Sequence, residues 1–224
     1  SIERALKSIT GDELNVIGAG RTDAGVHAAG QAAHVNLNND FPASREKAAI
    51  ALNANLPRDI RILEAKLLEK DFHARFDASA REYVYNVISR ESVFLTHFAA
   101  YFKFPFDPQS LAESASVFLG KHDFTAFSKH NPDTKSHICN VDICKWQQTG
   151  DFQWQLRIRA DRFVYGMVRA LVGAMYDCAR GKRTIDDLRT SLQLREREYT
   201  SPQAPAHGLI LDKIYYPPEI DPFD

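Results

Sequence analysis

VDICKWQQTGDFQWQLRIRA, residues Val141–Ala160, decides the fold class. Two β-rich runs, Val141–Gln147 and Phe152–Ala160, flank Thr149-Gly150-Asp151, a turn triplet that signals a hairpin. The second run alternates without a break. Phe152, Trp154, Leu156 and Ile158 share one face, and Gln153, Gln155, Arg157 and Arg159 share the other, which is the period of a half-buried strand. Immediately downstream the alternation stops. Phe163–Arg180 reads as a helix, Ile185–Leu194 as another, and Leu209–Tyr216 closes as a strand.

The same mixture runs upstream. Ser1–Thr10 reads as the latter part of an amphipathic helix, and Leu14–Ile17 as a short strand entering a glycine-rich loop, Gly18–Gly25. A strand follows around Gln31–Leu37. Ser44–Leu52 has helical spacing, with Ala48 and Leu52 on one face, and it ends near Pro57. Ile60–Leu68 is predicted to be a strand. Arg81–Ile88 is a β-rich run in which Tyr83, Tyr85 and Val87 share a face. Phe102–Phe106 and the Asp107-Pro108 pair mark a break, after which Leu111–Leu119 reads as a helix. Mixed strands and helices, a hairpin and no internal repeat give an α+β class in two halves, 1–100 with the glycine-rich loop and 101–224 after it. Ser1 is not an initiator methionine and the first helix begins at once, so a preceding segment is expected.

Composition narrows the function. A chain of 224 residues, 44% apolar and 25% charged, is an ordinary globular protein of one large or two small domains. No apolar run approaches the ~20 residues of a membrane-spanning helix. Cys139, Cys144 and Cys178 form no C-x-x-C, which argues against a disulfide framework or a structural zinc site and for a reducing, cytoplasmic compartment. Net charge is −1, which alone says nothing for nucleic acid. Between Arg157 and Arg183, however, seven basic residues stand against two acids, so that stretch carries +5 and the rest of the chain −6. Such a stretch is either an electrostatic footprint for phosphate or a solvated face.

Two features carry candidate chemistry. The loop Gly18-Ala-Gly-Arg-Thr-Asp-Ala-Gly-Val-His-Ala28 is no dinucleotide fingerprint, because Asp23 stands where the third glycine belongs. It is no phosphate-binding P-loop either, because Val26-His27 replaces Lys-Ser/Thr. It leaves Arg21 and Asp23 room to project, or else Asp23 closes an Asx turn on nearby backbone. The second feature is Arg169, the one charged residue between Phe163 and Tyr176. Either it lies on an exposed helix edge, or it is buried and requires an acid partner, for which Asp23 is the natural candidate. His130, His137, Cys139 and Cys144 match no metal-ligand spacing, and Tyr83 and Tyr85 alone are ordinary strand aromatics.

Together these segments resemble a known family. Gly18–Ala28 is similar to the active-site motif of the bacterial tRNA pseudouridine synthase A family. The likeness continues in order through Ala51–Ile60, Asp71–Tyr85, Asp123–Phe127, Phe163–Gly173 and Ala204–Leu209. It implies isomerisation of uridine to pseudouridine in the anticodon stem-loop of tRNA, by a homodimer that uses no metal and no organic cofactor. It implies a fold of two halves, each similar to an RNA-recognition motif, joined in a continuous, mainly antiparallel sheet with a central active-site cleft. It carries Asp23 across as the catalytic carboxylate, acting as nucleophile or base, and Arg169 as its basic partner. Tyr83 is carried across as the tyrosine that stacks on the target base and serves as a base. Arg21 becomes the arginine that holds the flipped base, and His27, Gln31 and Leu209 become further substrate contacts. The family begins with a strand and a Gly-Trp loop ahead of the helix that opens this chain. A catalytically silent RNA-binding module of the same fold, and a small-molecule enzyme built on the glycine-rich loop, are the alternatives.

The chemistry fits those residue types. Pseudouridine forms when the C–N glycosidic bond breaks, the uracil turns, and C5 rejoins the ribose. A carboxylate can attack the ribose or the ring, or remove a ribose proton. A neighbouring cation favours its charged form. The base must leave its stack first, at a cost of a few kcal/mol.

Overall fold

The computed structural model describes residues 1–39, 41–42, 44, 47–68, 71–196 and 201–223. They form two units that interleave along the chain. Ser1–Arg21, Gln31–Ala78 and Tyr215–Asp224 make the first, and Thr22–Gly30 and Ser79–Ile214 the second. Elements are numbered in chain order.

In the first unit, helix α1 (Ile2–Thr10) puts Ile2, Ala5, Leu6 and Ile9 on one side, where they pack with Leu14 and Leu52. Gly11 ends it in the left-handed region, φ 81°, and its N–H reaches the Lys7 carbonyl at 2.9 Å. Helix α2 (Ala48–Ala54) buries Ala48 and Leu52, the pair whose spacing predicted it. Arg45 and Glu46, within the predicted helix, lie outside the described residues. Strands β1 (Ile17–Gly18) and β3 (Ala33–His34) pair antiparallel, shorter than the runs expected at Leu14–Ile17 and Gln31–Leu37.

The strand predicted at Ile60–Leu68 does not form. The Asn53 side-chain amide occupies both backbone groups of Ile62. The Ile62 N–H donates to its Oδ1 at 2.8 Å, and its Nδ2 donates to the Ile62 carbonyl at 2.8 Å. With those groups satisfied locally, Ile62 needs no neighbouring strand, and Leu63 stands 81% exposed.

The second unit is built on a seven-stranded sheet. Its order is β2 (His27–Ala28), β9 (Leu209–Tyr215), β4 (Ala80–Ile88), β8 (Gln153–Ala160), β7 (Ile138–Gly150) and β6 (Gly120–Asp123), with β5 (Ala100–Tyr101) also paired to β4. The long pairings β4–β8 and β7–β8, and the shorter β6–β7, are antiparallel; β2–β9 and β4–β5 are short and parallel. Helices α3 (Pro108–Ser116) and α4 (Met167–Ala179) connect the four central strands in the chain order β4-α3-β7-β8-α4-β9, a β-α-β-β-α-β arrangement. Helix α5 (Ile185–Leu194) follows α4. The structure is therefore α+β with a mostly antiparallel sheet.

The hairpin forms as its alternation requires. Leu156, Ile158 and Ala160 are fully buried, and Cys144 faces Ile158 in the ladder. Strand β7 begins three residues before Val141, and its register slips between Gln148 and Gly150, beside the turn. Tyr85, Val87, Leu156, Ile158, Leu171 and Met175 belong to one core formed by the sheet and its helices. Helix α3 starts earlier than Leu111 because the Asp107 carboxylate accepts from the Gln109 and Ser110 N–H groups at 3.2 and 2.9 Å, with Pro108 in the first turn. Helix α4 starts at Met167, not Phe163, because Gly166 sits at φ 73°, a left-handed conformation incompatible with a continuing helix. All three cysteines are buried free thiols, and burial pushes Cys139 and Cys144 up to about 12. Among the described residues no helix is long and apolar enough to cross a membrane.

Candidate functional site

The site grows from the segment Thr22–Gly30, which belongs to the second unit. Strand β2 pins it by pairing His27 with Ile210 and Ala28 with Leu211. The Ala29 and Gly30 N–H groups then donate to the Leu211 carbonyl at 2.8 and 3.2 Å. Gly30 has to be glycine, since a Cβ there would overlap the Asp212 carbonyl oxygen. Ahead of β2 the chain turns tightly. The Val26 N–H donates to the Asp23 carbonyl at 3.1 Å, and Gly25 takes φ 81°. With that bond closing the turn, the Asp23 carboxylate meets a side chain.

That side chain is Arg169, in the first turn of α4. Its Nη1 donates to Asp23 Oδ2 at 2.7 Å, across 146 residues of sequence, and each side chain is only 16% exposed. The buried alternative for Arg169 is therefore the one realised. Its Nε donates to the Ala204 carbonyl at 2.7 Å, and the Ala204 N–H returns a bond to the Arg169 carbonyl at 3.0 Å. Two guanidinium donors are thus fixed in different directions, which sets the plane of the group as well as its position. This largely dry ion pair fixes where the Asp23 carboxylate lies and how it is turned.

Tyr83, on β4, packs edge-on against Phe163 with ring centroids 5.1 Å apart. Burial pushes its phenol up to about 12; the charge of Arg81 acts to lower it and that of Asp23 to raise it. The hydroxyl is therefore neutral at ordinary pH, and the face of the ring is the part equipped for a stacking role. Tyr83, Asp23 and Arg169 form one constellation in the second unit.

The other candidates sit differently. His27 Nε2 donates to the His97 carbonyl at 2.7 Å, and its ring lies 4.8 Å from that of Phe98, so it ties β2 to the residues before β5. Leu209 is buried in the core at the start of β9. Arg21 and Gln31 belong to the first unit and are exposed; Gln31 Nε2 donates to the Gly20 carbonyl at 3.0 Å.

Sequence reading missed Glu82. It lies 2% exposed on β4, and Arg157 Nη1 stands 2.9 Å from its Oε1. The available signal was cross-strand, since an acid on β4 pairs with a strand bearing arginine at every second position, Arg157 and Arg159. Four of the seven basic residues between Arg157 and Arg183 face carboxylates: Arg157 meets Glu82, Arg159 Asp142, Arg169 Asp23 and Arg180 Asp177. Asp177 is already counted within the stretch, so three outside carboxylates offset three of its five net positive charges.

Known proteins are similar to this chain over nearly its whole length. A family described as tRNA pseudouridine synthase matches residues 115–217. A tRNA pseudouridine synthase A of Bacteroides fragilis is 38% identical over 217 residues, 97% of this chain and 86% of the relative. Those of Porphyromonas gingivalis and Bacillus subtilis are 37% and 36% identical, covering 98% and 96% of this chain and 88% and 87% of their own lengths. Likeness of that extent spans both the glycine-rich loop and the helix that meets it. The chain belongs to the tRNA pseudouridine synthase A family.

Proposed function

We propose that the protein isomerises uridine to pseudouridine in the anticodon stem-loop of tRNA, with Asp23 as the catalytic carboxylate. The observation that carries the reading is the Asp23–Arg169 ion pair, 2.7 Å long and largely dry, made by residues of the two most distinctive sequence blocks. Arg169 engages Asp23 Oδ2 and so fixes the orientation of the carboxylate that acts on the nucleoside. Tyr83 supplies the stacking face, as a neutral phenol rather than a phenolate. Asp23 acts on the nucleoside as the N1–C1′ bond breaks; the freed uracil turns, C5 bonds to C1′, and the C5 proton leaves as N1 gains one. The reaction is redox-neutral and consumes no water.

The family reading assigns Arg21, which is exposed, to hold the vacated position of the flipped base and Gln31, also exposed, to contact the RNA; His27 and Leu209, which it also names, would act through the backbone they hold in place. The family reading further assigns a homodimer acting in the cytoplasm, with 1–100 and 101–224 as two halves similar to RNA-recognition motifs. The β-α-β-β-α-β order of β4 to β9 supports one motif of that kind, running from Ala80 to Tyr215 across the 100/101 boundary.

The test is incubation of the protein with unmodified tRNA transcripts and mapping of pseudouridine by chemical probing. Product is expected in the anticodon stem-loop. Product elsewhere in the tRNA would refute that assignment, and none at all would refute the activity.

A further inference from the structure

Resting on that reading, we infer that Tyr85 is a positioning residue: its hydroxyl pins the segment 201–209, whose Ala204 carbonyl fixes the Arg169 guanidinium on Asp23. Tyr85 is fully buried, and its Oη donates to the Pro205 carbonyl at 2.8 Å. The next residue back, Ala204, takes the Arg169 Nε–H at 2.7 Å and returns its own N–H to the Arg169 backbone. One peptide step therefore separates the anchor from the carbonyl that orients the arginine.

The rest of the segment is fastened on the same pattern. Gln203 Nε2 donates to the Gly166 carbonyl at 2.9 Å, just ahead of α4. Pro202 lies so close to Gly173 that a Cβ there would overlap its carbonyl oxygen. Gly208 lies against the Tyr85 ring and the Asn86 carbonyl, where an added Cβ would stand 2.8 and 2.9 Å away. Pro202 and Pro205 restrict the backbone between these points. At the far side, Ala206 Cβ is 3.4 Å from the Cβ position of Gly25, in the turn that carries Asp23. The segment thus touches α4, β4 and the Asp23 turn, and Tyr85 is the buried hydrogen-bond donor from the sheet beneath it. Burial raises the Tyr85 phenol above its ordinary value, so the hydroxyl keeps the proton it donates.

Tyr85→Phe removes the hydroxyl and keeps the ring, so the core stays filled. The expected result is a fall in kcat on tRNA of about 10- to 100-fold, the scale of a small misplacement of catalytic groups, with KM changed by less than about twofold. In an Arg169→Leu background the same substitution is expected to change kcat by less than about twofold, because the group it positions is gone. A second readout is free of activity: solvent exchange of the Arg169 Nε proton, followed by nitrogen-15 NMR, is expected to accelerate at least tenfold in Tyr85→Phe. Gln203→Met, which cuts the other hydrogen-bonded anchor, is expected to move both readouts the same way and serves if Tyr85→Phe does not fold. Unchanged kcat and unchanged exchange, or equal losses with and without Arg169, would overturn the proposal. If the wild-type protein forms no pseudouridine, the functional reading fails, and the exchange measurement alone decides whether Tyr85 positions Arg169.

Discussion

Arg169 and Asp23 illustrate how far one residue can be reasoned from the chain alone. A lone guanidinium in an apolar helix is unstable without a carboxylate, and the requirement pointed to the one acid in a loop of small residues. The structure supplies that contact at 2.7 Å, and a second one, to the Ala204 carbonyl, that no side-chain pattern announces because its acceptor is backbone. Arg169→Leu is expected to lower kcat about a hundredfold, as removal of a preorganised charge partner does, and Arg183→Leu less than about threefold. Steady-state kinetics on tRNA distinguish them, and similar losses would break the pairing argument. Tyr83 carries a pH prediction. The folded protein holds its phenol proton up to about 12, against an ordinary 10.0. The contribution of Tyr83 to stability is therefore complete below pH 10 and is lost as pH rises through that window. In an ultraviolet phenolate titration, Tyr83→Phe is expected to remove one tyrosine that titrates late, with the alkaline unfolding. Loss of one titrating at its ordinary value would contradict it.

At the level of elements, the close approach of segment 201–209 to α4 depends on Gly173. Gly173→Ala is expected to destabilise the protein by about 1–3 kcal/mol, as overpacking does, measurable as a lowered urea midpoint at constant slope. An unchanged midpoint would mean that the segment yields freely. The elements that sequence predicted well are those whose period is long enough to count: the β7–β8 hairpin, β4 and α4. It erred where one residue overrides a pattern. Ile60–Leu68 fails as a strand because the amide of Asn53 captures Ile62, and α4 loses its expected first turn to the left-handed Gly166. Strands of two residues, such as β2 and β5, leave no period to read, although β2 is what anchors the Asp23 turn.

For the whole molecule, charge is the quantity that changed meaning. A net −1 conceals a +5 stretch in sequence, and the fold in turn sets four of its seven cations against carboxylates. Arg159, held bidentate by Asp142 at 2.7 to 3.0 Å, is mainly structural, whereas Arg162 is exposed. Arg162→Gln is therefore expected to weaken tRNA binding and reduce its salt dependence by about one counterion. Arg159→Gln is expected to lower the melting temperature while leaving Kd within about twofold. Binding titrations at several salt concentrations check both, and the reverse pattern would mean that the pairings do not govern which cations reach phosphate.

In the proposed function, Asp23 is the group that acts on the nucleoside. Release of tritium from tRNA carrying [5-³H]uridine measures the C5 proton lost when pseudouridine forms. For Asp23→Asn, nearly isosteric and uncharged, the predicted result is tRNA binding close to wild type with no tritium release above background. Release at a near wild-type rate would contradict the account.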